Sequence, residues 1–254
     1  LVASRDAVER VAKAVGRIQP VGGNASYYIG SGTLVDRTER LVLTNFHVIE
    51  QARTLHGIAM HDDGGRLVVE GDFEIDFAAE SGVLDTRRFR ITEGAGAVFG
   101  GIDAAVCRLE PLDDGVTLPD AVRPLSPSAQ YATGEISSMA LIGFPGEPAK
   151  DKGDKVDWNF VIAELFGRRF GVKRLAPGRF RHGLGTHPLD TGKRAIGHDA
   201  TTFGGASGAL VVAWLDDGAP GFALHFGGET VESNYALSFA KARAVLEPLG
   251  VPFG

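Results

Sequence analysis

One serine lies among three glycines in the stretch TTFGGASGAL, from Thr201 to Leu210. A serine hydroxyl becomes a nucleophile only when a base takes its proton, and acyl transfer also requires donors directed at the developing oxyanion. Gly204, Gly205 and Gly208 could orient backbone N–H groups in this way, because a residue without Cβ accepts unusual backbone angles. The same composition is typical of a turn that leads into a buried strand. The stretch alone therefore leaves both interpretations open.

A base and an acid occur upstream of the serine. His47 follows an apolar run and the pair Thr44 and Asn45, and Asp103 precedes the apolar run AAVC. A histidine can act as a general base, and an aspartate can orient its imidazole and stabilise the charged form. Taken alone, His47 could equally be a packed residue at a strand end, and Asp103 a turn residue. The order His, Asp, Ser favours a shared chemical function.

Together these motifs resemble those of the chymotrypsin-like serine proteases, most closely the bacterial trypsin-like and glutamyl-endopeptidase branch. The resemblance extends from Gly30 to Leu246 and rests on GSGTLV, LTNFHV, DAAVCRL and GGASGAL. It implies an acyl-enzyme mechanism in which His47 is the base, Asp103 orients it and Ser207 attacks a peptide carbonyl. It further implies that the N–H groups of Gly205 and Ser207 form an oxyanion hole. The expected substrate is a protein or peptide, and no cofactor is implied.

The resemblance also implies residues that bind the substrate. Thr202 and His225 match positions that line the pocket for the residue before the cut bond in glutamyl endopeptidases. A hydroxyl and a partly charged imidazole can both hydrogen-bond a carboxylate, so we expect a preference for glutamate or aspartate there. Phe226, Gly227 and Gly228 are expected to form the edge that pairs with the extended substrate backbone.

Two rival functions remain. An α/β-hydrolase is disfavoured because Ala209 replaces the last glycine of its Gly-x-Ser-x-Gly motif and because its residues occur in a different order. The non-enzyme alternative is a protease fold used as a binding or regulatory module with a latent or inactive site. The presence of all three triad residues favours the enzyme. Ala206 replaces the Asp or Asn that usually precedes the nucleophile, which argues against activation by a newly cut amino terminus.

The elements that must position these residues are predicted to be mostly strands. Short runs rich in β-branched and aromatic residues alternate with Gly, Asp and Pro clusters, and a polar stretch from Glu110 to Asp120 divides them into two halves. Strand patterning alone does not separate a double barrel from a sandwich. The resemblance implies an all-β fold of two six-stranded antiparallel barrels, with the active site in the cleft between them. The strand candidates are YYIGSGTLVD, RLVLTNF, RLVVEGDFEIDF, RRFRITE, DAAVCRL, ISSMALIGFP, FGVKRLAPG, GALVVAWL and GFALHFGG.

Short helices are expected near the two ends. The pattern from Asp6 to Val15 predicts an amphipathic helix that docks outside the main fold, and Ser238 to Gly250 predicts a closing helix. We therefore expect a helical segment at residues 1–16 and a first barrel with the histidine and the aspartate at 17–120. The second barrel, at 121–254, would hold the serine, the oxyanion hole, the specificity pocket and the closing helix.

Composition excludes several functional classes. The 254 residues include 44% hydrophobic and 23% charged residues with a net charge of −6, which is typical of a soluble globular protein and gives no overall attraction to nucleic acid. The longest apolar stretch, Ala209 to Leu215, is too short for a spanning helix. The single cysteine, Cys107, excludes an intramolecular disulfide and is expected to be a buried small hydrophobe. The compartment stays open: secretion after removal of a leader, or a domain of a longer cytoplasmic chain whose other domains would be partners.

Two further patterns attract attention. His56 and His61 lie beside Asp62, but zinc sites use other spacings, so we expect loop histidines and no metal site. A basic run with interleaved phenylalanines favours an edge strand with a solvated face over a nucleic-acid surface. Its members are Arg168, Arg169, Lys173, Arg174, Arg179 and Arg181.

Overall fold

The computed structural model describes residues 2–97, 102–122, 125–133, 138–148, 156–185, 190, 192–229 and 233–254. Two antiparallel sheets dominate this part of the chain. The first contains β1 (Val15–Pro20), β2 (Gly30–Asp36), β3 (Leu41–Thr44), β4 (Met60–Asp63), β5 (Arg66–Val69), β6 (Phe73–Asp76), β7 (Arg88–Ala97) and β8 (Ala104–Pro111). The second contains β9 (Met139–Gly143), β10 (Arg174–Gly178), β11 (Phe180–His182), β12 (Ala195–His198), β13 (Leu210–Val212), β14 (Gly221–Glu229) and β15 (Ser233–Ser238).

The helices are short and lie between or beside the sheets. They are α1 (Val2–Lys13), α2 (Phe46–Thr54), α3 (Gln130–Thr133), α4 (Trp158–Phe160) and α5 (Phe239–Leu246). A wide helical turn, Val161–Leu165, continues α4, and a tight turn, Glu247–Leu249, follows α5. Within the described residues, no helix has both the length and the hydropathy needed to cross a membrane.

The first sheet closes into a barrel. Its strands follow the order β4-β5-β7-β6-β1-β2-β3-β8, and β7 also pairs with β8, so that six strands from β7 through β8 form a ring. Strands β4 and β5 extend from this ring as a hairpin. The barrel strands carry apolar side chains that fill the interior, including Ile18, Leu34, Ile75 and Phe89, each at most 1% exposed.

The second sheet curls toward closure without a ladder between its two edges in the described residues. Its order is β10-β9-β13-β14-β15-β12-β11, so the edge strands β10 and β11 are consecutive in the chain and only Arg179 separates them. Asp199 holds this break, because its carboxylate accepts the Arg179 N–H at 2.6 Å and its own N–H donates to the Arg179 carbonyl at 3.1 Å. One extended stretch thus pairs first with β9 and then with β12.

The predicted all-β double-barrel class is confirmed, with two differences of detail. The second sheet has seven strands in place of six, because the chain stays extended beyond the predicted strand FGVKRLAPG and pairs again after Arg179 as β11. Helix α1 begins at Val2, ahead of the predicted start at Asp6, and it packs into the core through Ala7 and Val11, which are 2% and 5% exposed. The expectation of a segment outside the main fold was wrong.

Polar contacts join the two sheets at one side. Arg17 of β1 donates from Nη1 to the Gly171 carbonyl at 2.6 Å. Lys173 donates from Nζ to the Phe77 carbonyl at 2.9 Å and to the Glu80 carboxylate at 2.8 Å. These contacts attach the segment that leads into β10 to the first barrel. The prediction that this basic run contains an edge strand is confirmed, since β10 lies at the edge of the second sheet.

Candidate active site

His47 lies on the first turn of a helix. Strand β3 ends at Thr44, Asn45 takes an extended conformation with φ −81° and ψ 150°, and α2 begins at Phe46. The helix is anchored by buried Val48, Ile49 and Ala52. The predicted strand RLVLTNF therefore ends two residues early, and its last residues form the entry to α2.

Asp103 accepts two hydrogen bonds from His47. Its Oδ2 lies 2.5 Å from Nδ1 of the imidazole, and its Oδ1 accepts the backbone N–H of His47 at 3.0 Å. The backbone N–H is one of those that the start of a helix leaves unpaired, and this end of a helix favours a negative charge. Because a carboxylate only accepts, Nδ1 carries the proton, and Nε2 is left as the acceptor.

Asn45 fixes the main chain at Asp103. Its side chain is fully buried, and Nδ2 donates to the Asp103 carbonyl at 2.7 Å. Asp103 directly precedes β8, whose Ala105 pairs with Thr44 of β3. Neighbouring strands of the first barrel thus bring the aspartate to the start of α2. Asn45 was not among the predicted site residues, although it lies only two residues before His47 in the sequence.

Ser207 lies in the turn before β13 and is half-buried. The Ser31 N–H of β2 donates to the Ser207 carbonyl at 2.7 Å. The next residue, Gly208, has φ 83°, and a Cβ there would collide with the Ser31 carbonyl and lie 2.6 Å from the Thr44 hydroxyl. Only glycine fits this contact. The serine turn of the second sheet therefore rests on the first barrel, at Ser31 and at Thr44. Thr44 lies three residues before His47 in the chain.

Strand β14 supports the serine turn from the other side. The Gly208 N–H donates to the His225 carbonyl, and the His225 N–H donates to the Ala209 carbonyl, both at 2.9 Å. The serine turn is consequently held between β2 of the first sheet and β14 of the second.

Two backbone donors in the turn are unpaired. In the part of the chain that the structure describes, the N–H groups of Gly205 and Ser207 have no acceptor, whereas the intervening Ala206 N–H donates to Phe203 at 3.2 Å. Gly205 has φ 89°, and a Cβ there would lie 2.5 Å from the Tyr28 hydroxyl. These are the two donors that were expected to bind an oxyanion.

Tyr28 is a site residue that the sequence analysis missed. Its hydroxyl donates to the Phe144 carbonyl at 2.9 Å and forms the surface on which Gly205 rests. Burial raises the pKa of Tyr28, so the phenol stays neutral and remains a donor at ordinary pH. Tyr28 lies in the predicted strand YYIGSGTLVD, but its sequence context gave no indication of the contact with Gly205, which is 177 residues away.

The two predicted pocket residues lie in different surroundings. Thr202 has a buried hydroxyl without a hydrogen-bond partner among the described residues, and it lines a cavity with Arg174. His225 is 3% exposed, with Nδ1 3.2 Å from Nε2 of His198. Burial lowers the pKa of both histidines, that of His198 to about 4, so the partly charged imidazole expected for His225 is not supported at neutral pH. A shared role of Thr202 and His225 in a substrate pocket stays a prediction.

The expected substrate edge has a free side. On the β15 side, Gly227 and Gly228 pair with Tyr235 and Asn234. On the β13 side, the pairing ends at His225, and no described residue hydrogen-bonds the main chain of Phe226, Gly227 or Gly228 there. A Cβ at Gly227 would meet no atom within 4 Å, so space is open beside this edge. The geometry is compatible with the addition of a peptide strand.

The remaining histidines and the cysteine considered in the sequence lie apart from one another. His56 packs against Tyr27, with ring centroids 5.3 Å apart, whereas His61 pairs with Glu70 at 2.9 Å. No group of three potential metal ligands occurs within the described ranges. Cys107 is fully buried in β8, and burial raises the pKa of its thiol to about 12, in agreement with its interpretation as a small hydrophobe.

No model of a protein family matches the chain. The chain is 60% identical over 251 residues to a probable serine protease of Lysobacter enzymogenes, covering 97% of this chain and 65% of that protein. This chain thus spans less than two thirds of the relative's length.

Solved structures share the fold at low sequence identity. The VesB protease of Vibrio cholerae superposes with a TM-score of 0.61 at 10% identity, covering 92% of this chain and 63% of that one. An inactive serine-to-alanine mutant of a protease from M. tuberculosis H37Rv gives 0.55 at 16% identity, covering 100% and 95%. The serine endoprotease of Yersinia pestis gives 0.50 at 18% identity, covering 97% and 66%. None of these names specifies the glutamyl-endopeptidase branch. The chain thus has the chymotrypsin-like double-barrel fold, and it is similar over nearly its whole length to a probable serine protease.

Proposed function

We propose that this chain is a serine endopeptidase that hydrolyses peptide bonds through an acyl-enzyme. The observation that carries the proposal is the pair of hydrogen bonds from His47 to Asp103, which leaves Nε2 of the imidazole as a proton acceptor. A histidine oriented in this way is the base that a serine nucleophile needs.

In the proposed reaction, the Ser207 hydroxyl attacks the substrate carbonyl while His47 takes its proton. The negative charge that develops on the carbonyl oxygen is stabilised by the unpaired N–H groups of Gly205 and Ser207. Asp103 stabilises the imidazolium, which then protonates the leaving amine. In the second half of the reaction, His47 takes a proton from a water molecule that attacks the acyl-enzyme. His47 then returns the proton to Ser207 as the acid product leaves. Each oxyanion donor of this kind typically contributes about 3 to 4 kcal/mol to stabilisation of the transition state.

The nucleophile can be tested by covalent labelling. A fluorophosphonate should label the protein at Ser207, and Ser207→Ala should abolish labelling and lower peptide turnover by on the order of 10⁴-fold or more. His47→Ala should also prevent labelling, because the serine then lacks its base. Ser26→Ala, which removes an exposed serine hydroxyl, is the matched control and should label normally. Full turnover in the Ser207→Ala protein would exclude the mechanism, and a folded wild-type protein that does not react would favour the alternative of a binding module.

We also propose, from Thr202 and His225, a preference for glutamate or aspartate before the cut bond. Because burial keeps His225 neutral, the imidazole would contribute a hydrogen bond and not a charge. Cleavage of a peptide library should give cuts after acidic residues, and Thr202→Val, which keeps the side-chain shape, should reduce them. Predominant cuts after Arg, Lys or aromatic residues would contradict the preference while leaving the endopeptidase intact.

A further inference from the structure

A cavity of about 160 Å³ lies behind the serine turn, between β9, β10 and the pair Thr201 and Thr202. Its walls are largely apolar, and two of the side chains that line it, Leu165 and Leu175, are 52% and 43% exposed. An apolar cavity of roughly 150 Å³ is large enough to hold benzene. The lining includes neither Ser207 nor the substrate edge, and Thr202 is the one residue that it shares with the proposed specificity pocket.

The polar side chains of the cavity offer donors. The Arg174 guanidinium lies over the Phe166 ring, 4.7 Å from its centroid, and Nη2 donates to the carbonyls of Phe166 and Arg169. Its Nε is buried without a partner, and no carboxylate in the described ranges pairs with it. The Thr202 hydroxyl, buried and unpaired in the same cavity, is a second donor.

The buried Nε of Arg174 and the buried hydroxyl of Thr202 have no hydrogen-bond partner among the described residues. Leaving these two groups unsatisfied costs free energy unless a ligand binds them. Carboxylates match a guanidinium in both charge and geometry. We propose that this cavity binds a carboxylate attached to a small apolar or aromatic group, with the carboxylate at Arg174 and Thr202 and the apolar group against Phe166 and Leu141. The carboxylate can come from a free acid or from the end of a peptide.

The cavity is connected to the serine turn by an aromatic cluster. The ring of Phe203, next to Thr202, lies 5.0 Å from that of Phe166 and 6.5 Å from that of Phe170, measured between centroids. Trp158 packs on Phe203 from another side at 6.1 Å. Gly204 and Gly205 follow Phe203 directly, so an occupant that packs on Phe166 restrains the residues that carry the oxyanion donor. This regulatory part rests on the proposed peptidase function, whereas the binding part does not.

Binding can be measured without activity, on the Ser207→Ala protein. Titration with 3-phenylpropionate by calorimetry and by ligand-observed NMR should show saturable binding, whereas 3-phenylpropanamide, which has the same apolar group, should bind about tenfold or more weakly. Arg174→Met should weaken binding of the acid by a similar factor, and Thr202→Val should weaken it to a smaller degree. Arg179→Met, which changes an exposed arginine outside the cavity, is the matched control and should bind as before.

Equal binding of acid and amide, unchanged binding by Arg174→Met, or no saturation at millimolar acid would each overturn the proposal. If Arg174→Met does not fold, the acid-to-amide ratio and Thr202→Val decide the question alone. A phenylalanine-terminated peptide with a free carboxylate, compared with its amidated form, separates the two sources. Binding of 3-phenylpropionate without binding of the peptide acid identifies a free acid, and binding of both shows that the cavity also admits a chain end.

In the wild-type protein, saturating 3-phenylpropionate should raise kcat for a peptide substrate. Binding of the acid without any change in turnover would remove the regulatory part and leave the binding site. Absence of all turnover would refute the proposed function, and the titration of Ser207→Ala would still decide whether the cavity binds carboxylates.

Discussion

Asp103 hydrogen-bonds both the imidazole and the backbone N–H of His47. One oxygen meets the His47 ring, and the other accepts the N–H at the start of α2. The bond to the backbone N–H fixes the orientation of the carboxylate, so that Oδ2 faces the imidazole even without the bond to the ring. Sequence motifs predicted both residues, but nothing in their spacing indicated that a helix begins at Phe46, directly before His47.

Asp103→Asn tests the electrostatic part of this arrangement. The amide oxygen can still accept the His47 N–H, which turns the NH₂ group toward Nδ1 and forces the proton of the imidazole to Nε2. Nε2 then no longer accepts, and kcat should fall on the order of 10⁴-fold. Peptide turnover and thermal unfolding should be measured together, with Asp113→Asn, an exposed aspartate, as the control. A folded Asp103→Asn protein with wild-type kcat would rule out the assigned role of Asp103.

Helix α2 illustrates why part of the site escaped prediction. The apolar residues from Leu41 to Ile49 read equally as a strand followed by a turn, since short apolar runs do not distinguish strand from helix. The backbone changes from strand to helix at Asn45, which has an extended conformation. Its buried side chain donates a hydrogen bond to the Asp103 carbonyl. That partner is 58 residues away in the chain, so local pattern gave no access to it.

Asn45→Ala should therefore act on the site through the junction of β3 and α2. Loss of the hydrogen bond leaves the Asp103 carbonyl buried without its donor and lets the loop shift, so we expect kcat to fall by about tenfold or more while KM changes little. Steady-state kinetics on one peptide would measure this split. Asn159→Ala, at an exposed asparagine, should change neither constant. A rise in KM of about tenfold without a fall in kcat would argue against a positioning role for Asn45.

At the scale of the whole molecule, the sequence indicated the two-barrel class through its motifs and its many short strands. It did not indicate that α1 packs into the core or that the stretch around Arg179 is divided. Both features depend on tertiary contacts: α1 buries Ala7 against the first barrel, and Asp199 holds the break at Arg179. Amphipathic patterns and strand propensities carry no information about such partners.

A buried polar network in the first barrel makes stability depend on pH. Glu74 is fully buried, accepts a hydrogen bond from Gln19 at 2.6 Å, and lies 3.8 Å from Arg88. Burial raises its pKa above the ordinary value of 4.5 despite Arg88 and Arg17 nearby, and Asp76 adds to the rise. A raised pKa in the folded state means that the contribution of this group is fully present below about pH 4.5 and is lost as pH rises through the folded pKa.

Glu74→Gln keeps the acceptor for Gln19 and removes the ionisation. Relative to this variant, the free energy of unfolding of the wild-type protein should fall as the pH rises from 4.5 to 8. Urea unfolding at several pH values would measure the difference. Glu110→Gln, at an exposed glutamate, should run parallel to the wild type. A constant difference between Glu74→Gln and the wild type across this range would show that Glu74 does not titrate as inferred.

Residues 250–254 lie against elements that come much earlier in the chain. Gly250 rests on Leu41 of β3, Phe253 packs on Phe239, and the Gly254 N–H donates to the Leu125 carbonyl at 3.0 Å. During synthesis, the outer surface of β3 therefore stays uncovered until the ribosome has released almost all of these residues. We therefore expect the first barrel to gain this part of its packing only after the second half of the chain has been synthesised.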